Sequence, residues 1–300
     1  MGQNARWVWT EGKHMKRTWL VGDIEIVPVI EAEGPTVGTF MLPDADPAAV
    51  LERHGWAVGS FVAPDGRLLT RIQALCLEAD GAKIIVDTCV GNHKTRANPF
   101  WDSLELPFLE DLAAAGFPRR DVDVVICTHL HVDHVGWNTM LVDGEWVPTF
   151  PNAEYLFVGE EFAHWAAEGP EPGQDVQADS VQPVVDAGLA RMVPPDHVVG
   201  PSVRLTPTPG HTPGHASVVI ASAGREAVIT GDLMHHAVQV ATPHWGSGFD
   251  VDSDMALATR RAFIDRYADT DTTVIGTHFG GPGGGRIITV GDEHRLVPAG

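Results

Sequence analysis

The chain has 300 residues, of which 44% are hydrophobic and 20% charged, as in soluble globular proteins with a sizeable core. Its formal net charge is −20 and it has no run of Lys and Arg, which argues against nucleic acid as a partner. No apolar stretch approaches the length of a membrane span, so no membrane partner is expected.

Residues 1–17 precede the first predicted strand and are interpreted as an N-terminal extension that is not expected to be ordered. The segment carries Arg6, Lys13 and Lys16 but no apolar core of signal-peptide length. We therefore expect a cytoplasmic protein in which residues 18–300 form a single domain.

The first half of the chain predicts two β-hairpins, then alternating helices and strands. One hairpin covers 18–33, and a second joins 72–79 to 82–86 through Asp80-Gly81, a sequence typical of type I′ turns. Between them, 34–70 is rich in Pro, Gly and Asp and is predicted to be a long surface excursion. The later predicted elements are a helix at 104–116, strands at 122–127 and 153–158, and a helix at 160–168.

The second half repeats this alternation in weaker form. Strands are predicted at 203–207, 216–221, 227–230 and 273–276. A helix is predicted at 253–268, with Ser253 or Asp252 as its N-cap. Alternating strands and helices in two halves indicate an α/β protein with helices outside two sheets.

Four residues of metal-ligand type follow the predicted strand at 122–127. They are His129, His131, Asp133 and His134, within six consecutive positions. In an extended chain, His129 and His131 point to the same side, because side chains alternate with a period of two. Asp133 and His134 are expected to turn away at the start of a following helix. One segment therefore supplies ligands to two adjacent metal ions.

Three other strand ends carry residues of the same type. Asp232 follows the strand at 227–230, and a carboxylate there can bridge two ions with its two oxygens. His278 follows the strand at 273–276. His211 and His215 share a turn fixed by Gly and Pro, and since rigid turns set side-chain directions, both need not bind metal. Every candidate thus lies beyond the C-terminal end of a predicted strand.

The pattern H-x-H-x-D-H resembles the signature of the metallo-β-lactamase superfamily, and the resemblance extends from Ile72 to the end of the chain. It implies an α/β fold of the αββα sandwich type, with two β-sheets packed face to face and helices outside. The G-H-T-P-G-H segment of the family implies His215 as the ligand and leaves His211 with a structural hydrogen bond. The implied set places one metal on His129, His131, His215 and Asp232, and the other on Asp133, His134, His278 and Asp232.

Imidazole and carboxylate ligands without thiolate suit two Zn²⁺ ions and would also accept Mn, Fe or Co. Two ions about 3.5–4 Å apart can hold a bridging hydroxide and lower the pKa of bound water to about 7. We therefore predict a dinuclear metal-dependent hydrolase that cleaves an ester-like bond of a small-molecule substrate by attack of this hydroxide. Asp133 and Asp232 are the predicted catalytic carboxylates. A homodimer is one expected oligomeric state.

Among its relatives, the chain most resembles the N-acyl homoserine lactonases and the methyl parathion hydrolase-like enzymes, which implies a lactone or carboxylic ester with an apolar substituent. The lactonases usually carry a tyrosine three residues after the bridging aspartate, where this chain has His235. We expect His235 to contact substrate and take part in catalysis, with simple packing as the alternative. Phosphotriesterase activity, glyoxalase II-like thioester hydrolysis, and a non-catalytic or redox protein that reuses the fold are the alternative functions.

The predicted substrate pocket is mainly apolar, because large apolar side chains flank the ligand motifs in sequence. Its predicted lining residues are Trp137, Met234, His235, His236 and Phe279. Within the 34–70 segment, Phe40, Met41, Trp56 and Phe61 are further candidates, with packing against the sheet as the alternative.

Overall fold

The structure, a computed structural model, describes residues 18–298. The extension predicted at 1–17 lies outside the described residues, and its lack of order stays a prediction. No helix within 18–298 combines the length and apolar character needed to cross a membrane.

Fifteen strands and five α-helices follow one another along this part of the chain. The strands are β1 (Trp19–Val21), β2 (Ile24–Thr36), β3 (Leu68–Ala79), β4 (Ala82–Val86), β5 (Val124–Ile126), β6 (Thr139–Val142), β7 (Glu145–Pro148), β8 (Glu154–Val158), β9 (Ala190–Val193), β10 (Val203–Pro207), β11 (Ala216–Ser222), β12 (Arg225–Ile229), β13 (Thr273–Ile275), β14 (Gly284–Val290) and β15 (Glu293–Pro298). The helices are α1 (Pro47–His54), α2 (Phe108–Ala114), α3 (Gly159–Glu168), α4 (Gln182–Asp186) and α5 (Ser253–Tyr267).

The strands form two large mixed sheets and one small one. The first sheet has the order β1-β2-β3-β4-β5-β8-β9, with antiparallel pairing up to β4 and parallel pairing beyond it. The second has the order β10-β11-β12-β13-β14-β15, and only β12 and β13 pair in parallel. Strands β6 and β7 make a separate two-stranded ribbon.

Alternating side chains on each strand divide the core into three layers. On β3, Leu75 and Leu77 face the second sheet and pack in one cluster with Ile220 and Ile229. The alternate residues Ala74 and Cys76 face the other way and pack in a cluster with Phe108 of α2 and Val184 of α4. Outside the second sheet, Val219 and Val274 cluster with Phe263 and Ile264 of α5. The predicted α/β sandwich with helices outside two face-to-face sheets is confirmed.

The two hairpins of the first half are confirmed as well. Strands β1 and β2 pair antiparallel across a turn at Gly22-Asp23. Strands β3 and β4 are joined by Asp80 and Gly81, with φ values of 54° and 80°. A type I′ turn needs positive φ at both central residues, and an Asp-Gly pair adopts it at low cost.

Three sequence predictions about the first half of the chain are wrong. No α-helix follows the histidine motif, because Gly136–Asn138 forms a single 3₁₀ turn that leads into β6. The helix predicted from residue 104 begins only at Phe108, since Pro107 disfavours helical geometry in the residue before it. The 34–70 segment is not one long loop: it contains α1, whose N-cap Asp46 accepts hydrogen bonds from the first turn.

Gly136 connects the histidine motif to the loop after β4 through a close backbone approach. Its N–H donates to the Cys89 carbonyl oxygen at 2.7 Å, and the neighbouring Trp137 N–H donates to the Thr88 carbonyl oxygen at 2.8 Å. A β-carbon at Gly136 would collide with the backbone carbonyl of Val90. The two loops can approach this closely only because residue 136 has no side chain.

We therefore expect Gly136→Ala to lower the free energy of unfolding by about 3 kcal/mol or more, the upper end of overpacking costs, because a rigid backbone must move. Urea unfolding followed by circular dichroism measures the change. Gly55→Ala is the matched control, since it has ordinary helical dihedrals and no atom within 4 Å of the added carbon. Equal stability of the two variants would contradict the argument.

Candidate metal centre

The predicted ligands come together where strands of both sheets end. His129, His131 and His134 follow β5, Asp232 follows β12, and His278 follows β13. The parallel pairs β4–β5 and β12–β13 each end at one edge of their own sheet, and the closeness of His134, Asp232 and His278 shows that these two edges meet. The strand order therefore brings together residues that are far apart in sequence.

Seven side chains form two adjacent groups of ligand atoms, and within each group these atoms lie within 4.8 Å of one another. The first group consists of His129, His131, His211 and Asp232. The second consists of Asp133, His134 and His278. Six of the seven predicted ligands are brought together, and the seventh place is taken by His211 rather than His215.

Four of these imidazoles are fixed by a hydrogen bond on the nitrogen that faces away from the centre. In each case Nδ1 is held by a protein oxygen, which leaves the lone pair of Nε2 directed at the other ligand atoms. The Nδ1 atom of His129 lies 3.1 Å from Thr128 Oγ1, and that of His134 lies 2.9 Å from Asp87 Oδ2. The Nδ1 atom of His211 lies 3.0 Å from Asp250 Oδ1, and that of His278 lies 2.9 Å from the Arg71 carbonyl oxygen. His131 differs, because its Nδ1 faces inward and lies 2.9 Å from Nε2 of both His129 and His211.

Asp232 lies between the two groups and presents one oxygen to each. Its Oδ2 is 3.4 Å from His211 Nε2 and 3.8 Å from His129 Nε2. Its Oδ1 is 3.1 Å from His278 Nε2 and 3.3 Å from His134 Nε2. Oδ1 is buried and makes no hydrogen bond of acceptable geometry with any residue of 18–298. This is the position that a bridging carboxylate requires.

The electrostatics of the centre favour neutral imidazoles at His129 and His131, and beside Asp232 they favour a positive charge, which a bound cation can supply in place of a proton on His134 or His278. Burial, reinforced by neighbouring rings, lowers the pKa of His129 and His131 well below the usual value. Burial opposes ionisation of Asp232, but His278 and His134 outweigh it and hold the pKa of this carboxyl well below its usual range. Burial also disfavours charge on His278, yet Asp232 outweighs it and raises its pKa to about 9.

These observations fit two divalent metal ions. Lone pairs of several imidazoles point at one another, an arrangement that is unfavourable without a cation between them. The buried Asp232 oxygen lacks a donor, and imidazole with carboxylate is a ligand set that Zn²⁺ accepts. We infer that the first group, with Asp232, holds one ion, and that the second group shares Asp232 to hold the other.

The prediction of His215 as a ligand is corrected by the structure. Its Nδ1 donates to the Thr208 carbonyl oxygen at 3.0 Å, and its Nε2 accepts the Asp232 backbone N–H at 2.8 Å. Both nitrogens are therefore used inside the protein, and His215 positions the backbone of Asp232. His211 is directed inward instead, because Gly210 adopts a φ of 127° and packs against the first turn of α5.

Two further carboxylates, those of Asp87 and Asp250, hold histidine ligands in position. The sequence did not predict this role for either residue. Asp87 accepts hydrogen bonds from His134 Nδ1 and from the Thr128 backbone N–H at 2.8 Å. Its place at the end of β4 was the available signal. Asp250 accepts from His211 Nδ1 and from the Ser247 backbone N–H at 3.0 Å. Nothing in the sequence around Asp250 distinguishes it from neighbouring acidic residues.

A cavity of about 330 Å³ opens directly above the metal groups. Its floor includes His131, Asp133, Asp232 and His278. Its walls are largely apolar and aromatic, and they come from four separate segments: Phe40, Trp101, Trp165 and Phe249. A small substrate that enters this cavity therefore meets apolar and aromatic side chains beside the candidate metal sites.

Three aromatic rings meet at the mouth of this cavity. Phe40 packs edge-on against Phe249, with ring centroids 5.7 Å apart, and against Trp101 at 6.4 Å. Phe40 and Phe249 remain 47% and 45% exposed, so these apolar rings are available to a ligand.

An ion pair joins two of the segments that form the cavity wall. Arg96 makes two hydrogen bonds to Asp179, at 2.6 and 3.0 Å, and these residues lie close in sequence to the lining residues Ala97 and Gln177.

Four of the five predicted pocket residues do not line the cavity. Trp137 is buried, stacks on Phe108 at 5.3 Å and donates its indole N–H to Glu31 Oε1 at 2.8 Å. Met234 and Phe279 are buried in the core outside the second sheet.

The fourth misplaced residue is His236, whose Nε2 lies 3.0 Å from the carbonyl oxygen of Phe61. Of the candidates in the 34–70 segment, Phe40 and Met41 line the cavity, whereas Phe61 and Trp56 pack in the core cluster.

His235 is the predicted pocket residue that does line the cavity. Its Nε2 lies 3.2 Å from Asp232 Oδ2, and its ring is parallel to that of His278 with centroids 6.1 Å apart. Its Nδ1 is buried without a hydrogen-bond partner among residues 18–298. The ring therefore lies beside the ligands without belonging to either group.

Comparison with known proteins agrees with this geometry. A model of the Metallo-beta-lactamase superfamily matches residues 71–291. An N-acyl homoserine lactonase from Bacillus sp is 26% identical over 196 residues, which cover 61% of this chain and 71% of that protein. A probable metallo-hydrolase from Mycobacterium tuberculosis is 28% identical over 185 residues, or 54% of this chain and little more than half (56%) of its relative.

Two solved structures share the fold over nearly the whole chain. One is AidC, a dizinc quorum-quenching lactonase, with a TM-score of 0.76, 22% identity, and coverage of 95% of this chain and 97% of AidC. The other is the hydrolase AbOPH, with a TM-score of 0.77, 22% identity, and coverage of 97% and 99%. With the family model matching most of the chain, the protein belongs to the metallo-β-lactamase superfamily and is a metal-dependent hydrolase.

Proposed function

We propose that this protein hydrolyses lactones that carry an apolar acyl substituent, with N-acyl homoserine lactones as the substrate class to test first. The observation that carries the proposal is the cavity itself, in which two groups of metal ligands lie beneath aromatic walls. An ester with one polar reacting end and one apolar chain matches a cavity that has metal ligands at its floor and apolar rings along its walls. Similarity to proteins named as N-acyl homoserine lactonases supports the same class.

In this proposal the side chains of the centre hold the ions and orient the reacting ester. His129, His131 and His211 would bind one ion, Asp133, His134 and His278 the other, and Asp232 both. Two such ions would act as Lewis acids and lower the pKa of water toward neutrality. The apolar walls place the acyl chain and exclude bulk water, which strengthens polar interactions at the floor.

His235 is proposed to hydrogen-bond the substrate at the oxygen where charge develops. A neutral imidazole donates one hydrogen bond, and Nε2 of His235 lies on the cavity floor beside Asp232. His235 stands where the resemblance to lactonases implies a tyrosine. Both side chains can offer a single donor, so the replacement is compatible with ester chemistry.

A substrate panel tests the proposal against the alternatives of a phosphotriesterase and a thioesterase. The measurement is kcat/KM of the Zn²⁺-loaded protein on N-acyl homoserine lactones of increasing chain length, p-nitrophenyl esters, a dialkyl aryl phosphotriester and an S-acyl glutathione. We expect lactones to be preferred and kcat/KM to rise by at most about fourfold per added methylene, which corresponds to about 0.8 kcal/mol of burial. Preference for the phosphotriester or the thioester would overturn the lactone assignment.

The metal assignment predicts the metal stoichiometry of the wild-type protein and of two variants. Wild-type protein is expected to bind two equivalents of Zn²⁺, His211→Ala one strongly held equivalent, and Asp232→Asn neither of them at wild-type affinity. The reason is that His211 belongs to one group, whereas Asp232 faces both. Elemental analysis after dialysis against a weak chelator measures the retained metal.

His244→Ala is the matched control for these variants, because His244 is exposed and lies in the segment that follows the centre. It should retain two equivalents. Full stoichiometry in His211→Ala together with loss in His215→Ala would restore the original assignment of His215.

The role of His235 predicts a loss of rate without a loss of metal. His235→Ala should lower kcat by on the order of 10²–10³ if the imidazole donates directly to the developing oxyanion. Bound Zn²⁺ should stay at two equivalents, because His235 belongs to neither ligand group. Steady-state kinetics and elemental analysis on the same preparation separate the two effects. A wild-type rate on every substrate would leave His235 as a packing residue.

A further inference from the structure

A buried glutamate outside the ligand set connects the two loops that carry the first metal group. Glu161 lies in the first turn of α3 and is only 1% exposed. No Lys or Arg of residues 18–298 pairs with its carboxylate, and its hydrogen-bond donors are all neutral N–H groups. Burying a carboxylate in this way is costly unless each oxygen is well satisfied. An acidic residue at this position therefore calls for an explanation.

Both carboxylate oxygens hold parts of the candidate metal centre. Oε1 accepts the backbone N–H of Leu130 at 3.1 Å, and Leu130 lies between His129 and His131. Oε2 accepts the backbone N–H of Gly214 at 3.0 Å, in the turn that carries His211. These loops belong to different sheets, so one side chain fixes the spacing between ligands that the strands alone do not connect.

The contact with the second loop is close enough to depend on glycine. A β-carbon at Gly214 would collide with the backbone nitrogen of Glu161 and with its side chain. The turn therefore lies directly against the start of α3, and the Gly214 N–H can reach the Glu161 carboxylate because no side chain separates the two backbones. This places the His211 turn in one position relative to the helix.

Glu161 also orients an aromatic residue against the one imidazole that lacks a hydrogen bond on its outer nitrogen. Trp165, one turn further along α3, donates its indole N–H to Oε1 at 2.7 Å. Its ring packs on the ring of His131, with centroids 5.1 Å apart. No hydrogen bond joins Nε2 of His131 to any residue of 18–298. Packing by Trp165 therefore takes over the orienting role that Nδ1 hydrogen bonds have for the other ligands.

We propose that Glu161 is a positioning residue for the first metal group, which it assembles by fixing the backbones at Leu130 and Gly214 and the ring of Trp165. The inference rests on the metal-binding part of the proposed function and is independent of the substrate. Its effect is to hold His129, His131 and His211 in a convergent arrangement before an ion arrives. The second group has no contact of this kind with Glu161.

The test is Zn²⁺ affinity measured by competition with a chromogenic chelator, without any turnover assay. Glu161→Gln keeps the shape but turns one acceptor oxygen into a donor, which faces a backbone or indole N–H. We expect one of the two equivalents to bind about 10–100-fold more weakly and the other to keep its affinity, as for partners that orient metal ligands in other proteins. Glu160→Gln, an exposed neighbour in the same turn, is the matched control and should bind like wild type.

A purely stabilising role for Glu161 predicts a different result, namely a lower Tm with both affinities unchanged in the folded protein. That result overturns the proposal. If Glu161→Gln does not fold, Trp165→Phe decides, since it keeps a ring against His131 but removes the hydrogen bond that orients it. Weaker binding of one equivalent supports the proposal, and unchanged binding overturns it. Absence of tight Zn²⁺ binding in wild-type protein would instead count against the proposed function.

Discussion

The carboxylate of Asp232 is the constraint on which the rest of the centre depends. It is 3% exposed, its two oxygens face different groups of imidazoles, and its backbone N–H is held by His215. A buried anion is stable only if positive charge or donors surround it. Asp232 meets this requirement because the 3₁₀ turn at residues 231–233 places its carboxylate among imidazoles that come from several strand ends. The same arrangement has room for cations.

The protein fixes the orientation of these imidazoles before any ligand binds. Carbonyl, hydroxyl and carboxylate oxygens fix the tautomers of four imidazoles, and two of these oxygens belong to carboxylates, Asp87 and Asp250. Asp250 is itself held by Arg260 of α5, 3.5 Å away, so an element outside the second sheet contributes to a ligand at its edge. Preformed donors and acceptors reduce the entropy that binding must otherwise overcome.

Much of the fold was predictable because it depends on local signals. The Asp80-Gly81 turn, the apolar strands around it and the ligand residues at strand ends are all visible in short stretches of sequence. The choice between His211 and His215 was not, because it depends on the dihedral angle at Gly210 and on how that turn packs against α5. Which side chains line the cavity was not predictable for a similar reason. Trp137 and Phe279 are neighbours of ligands in sequence, but they face the core, whereas the cavity walls come from distant loops.

The floor of the cavity and its walls come from different parts of the fold, and this affects how the protein can evolve. Ligands come from strand ends inside a rigid sandwich, whereas Phe40, Trp101 and Phe249 stand on segments that connect the strands and α-helices. Loops tolerate substitution and insertion far better than the sheets they join. Selection can therefore reshape the cavity for a new acyl or aryl group without disturbing the catalytic machinery. Trp165 is the exception among the wall residues, since any exchange there also alters the support of a ligand, and this wall should diverge most slowly.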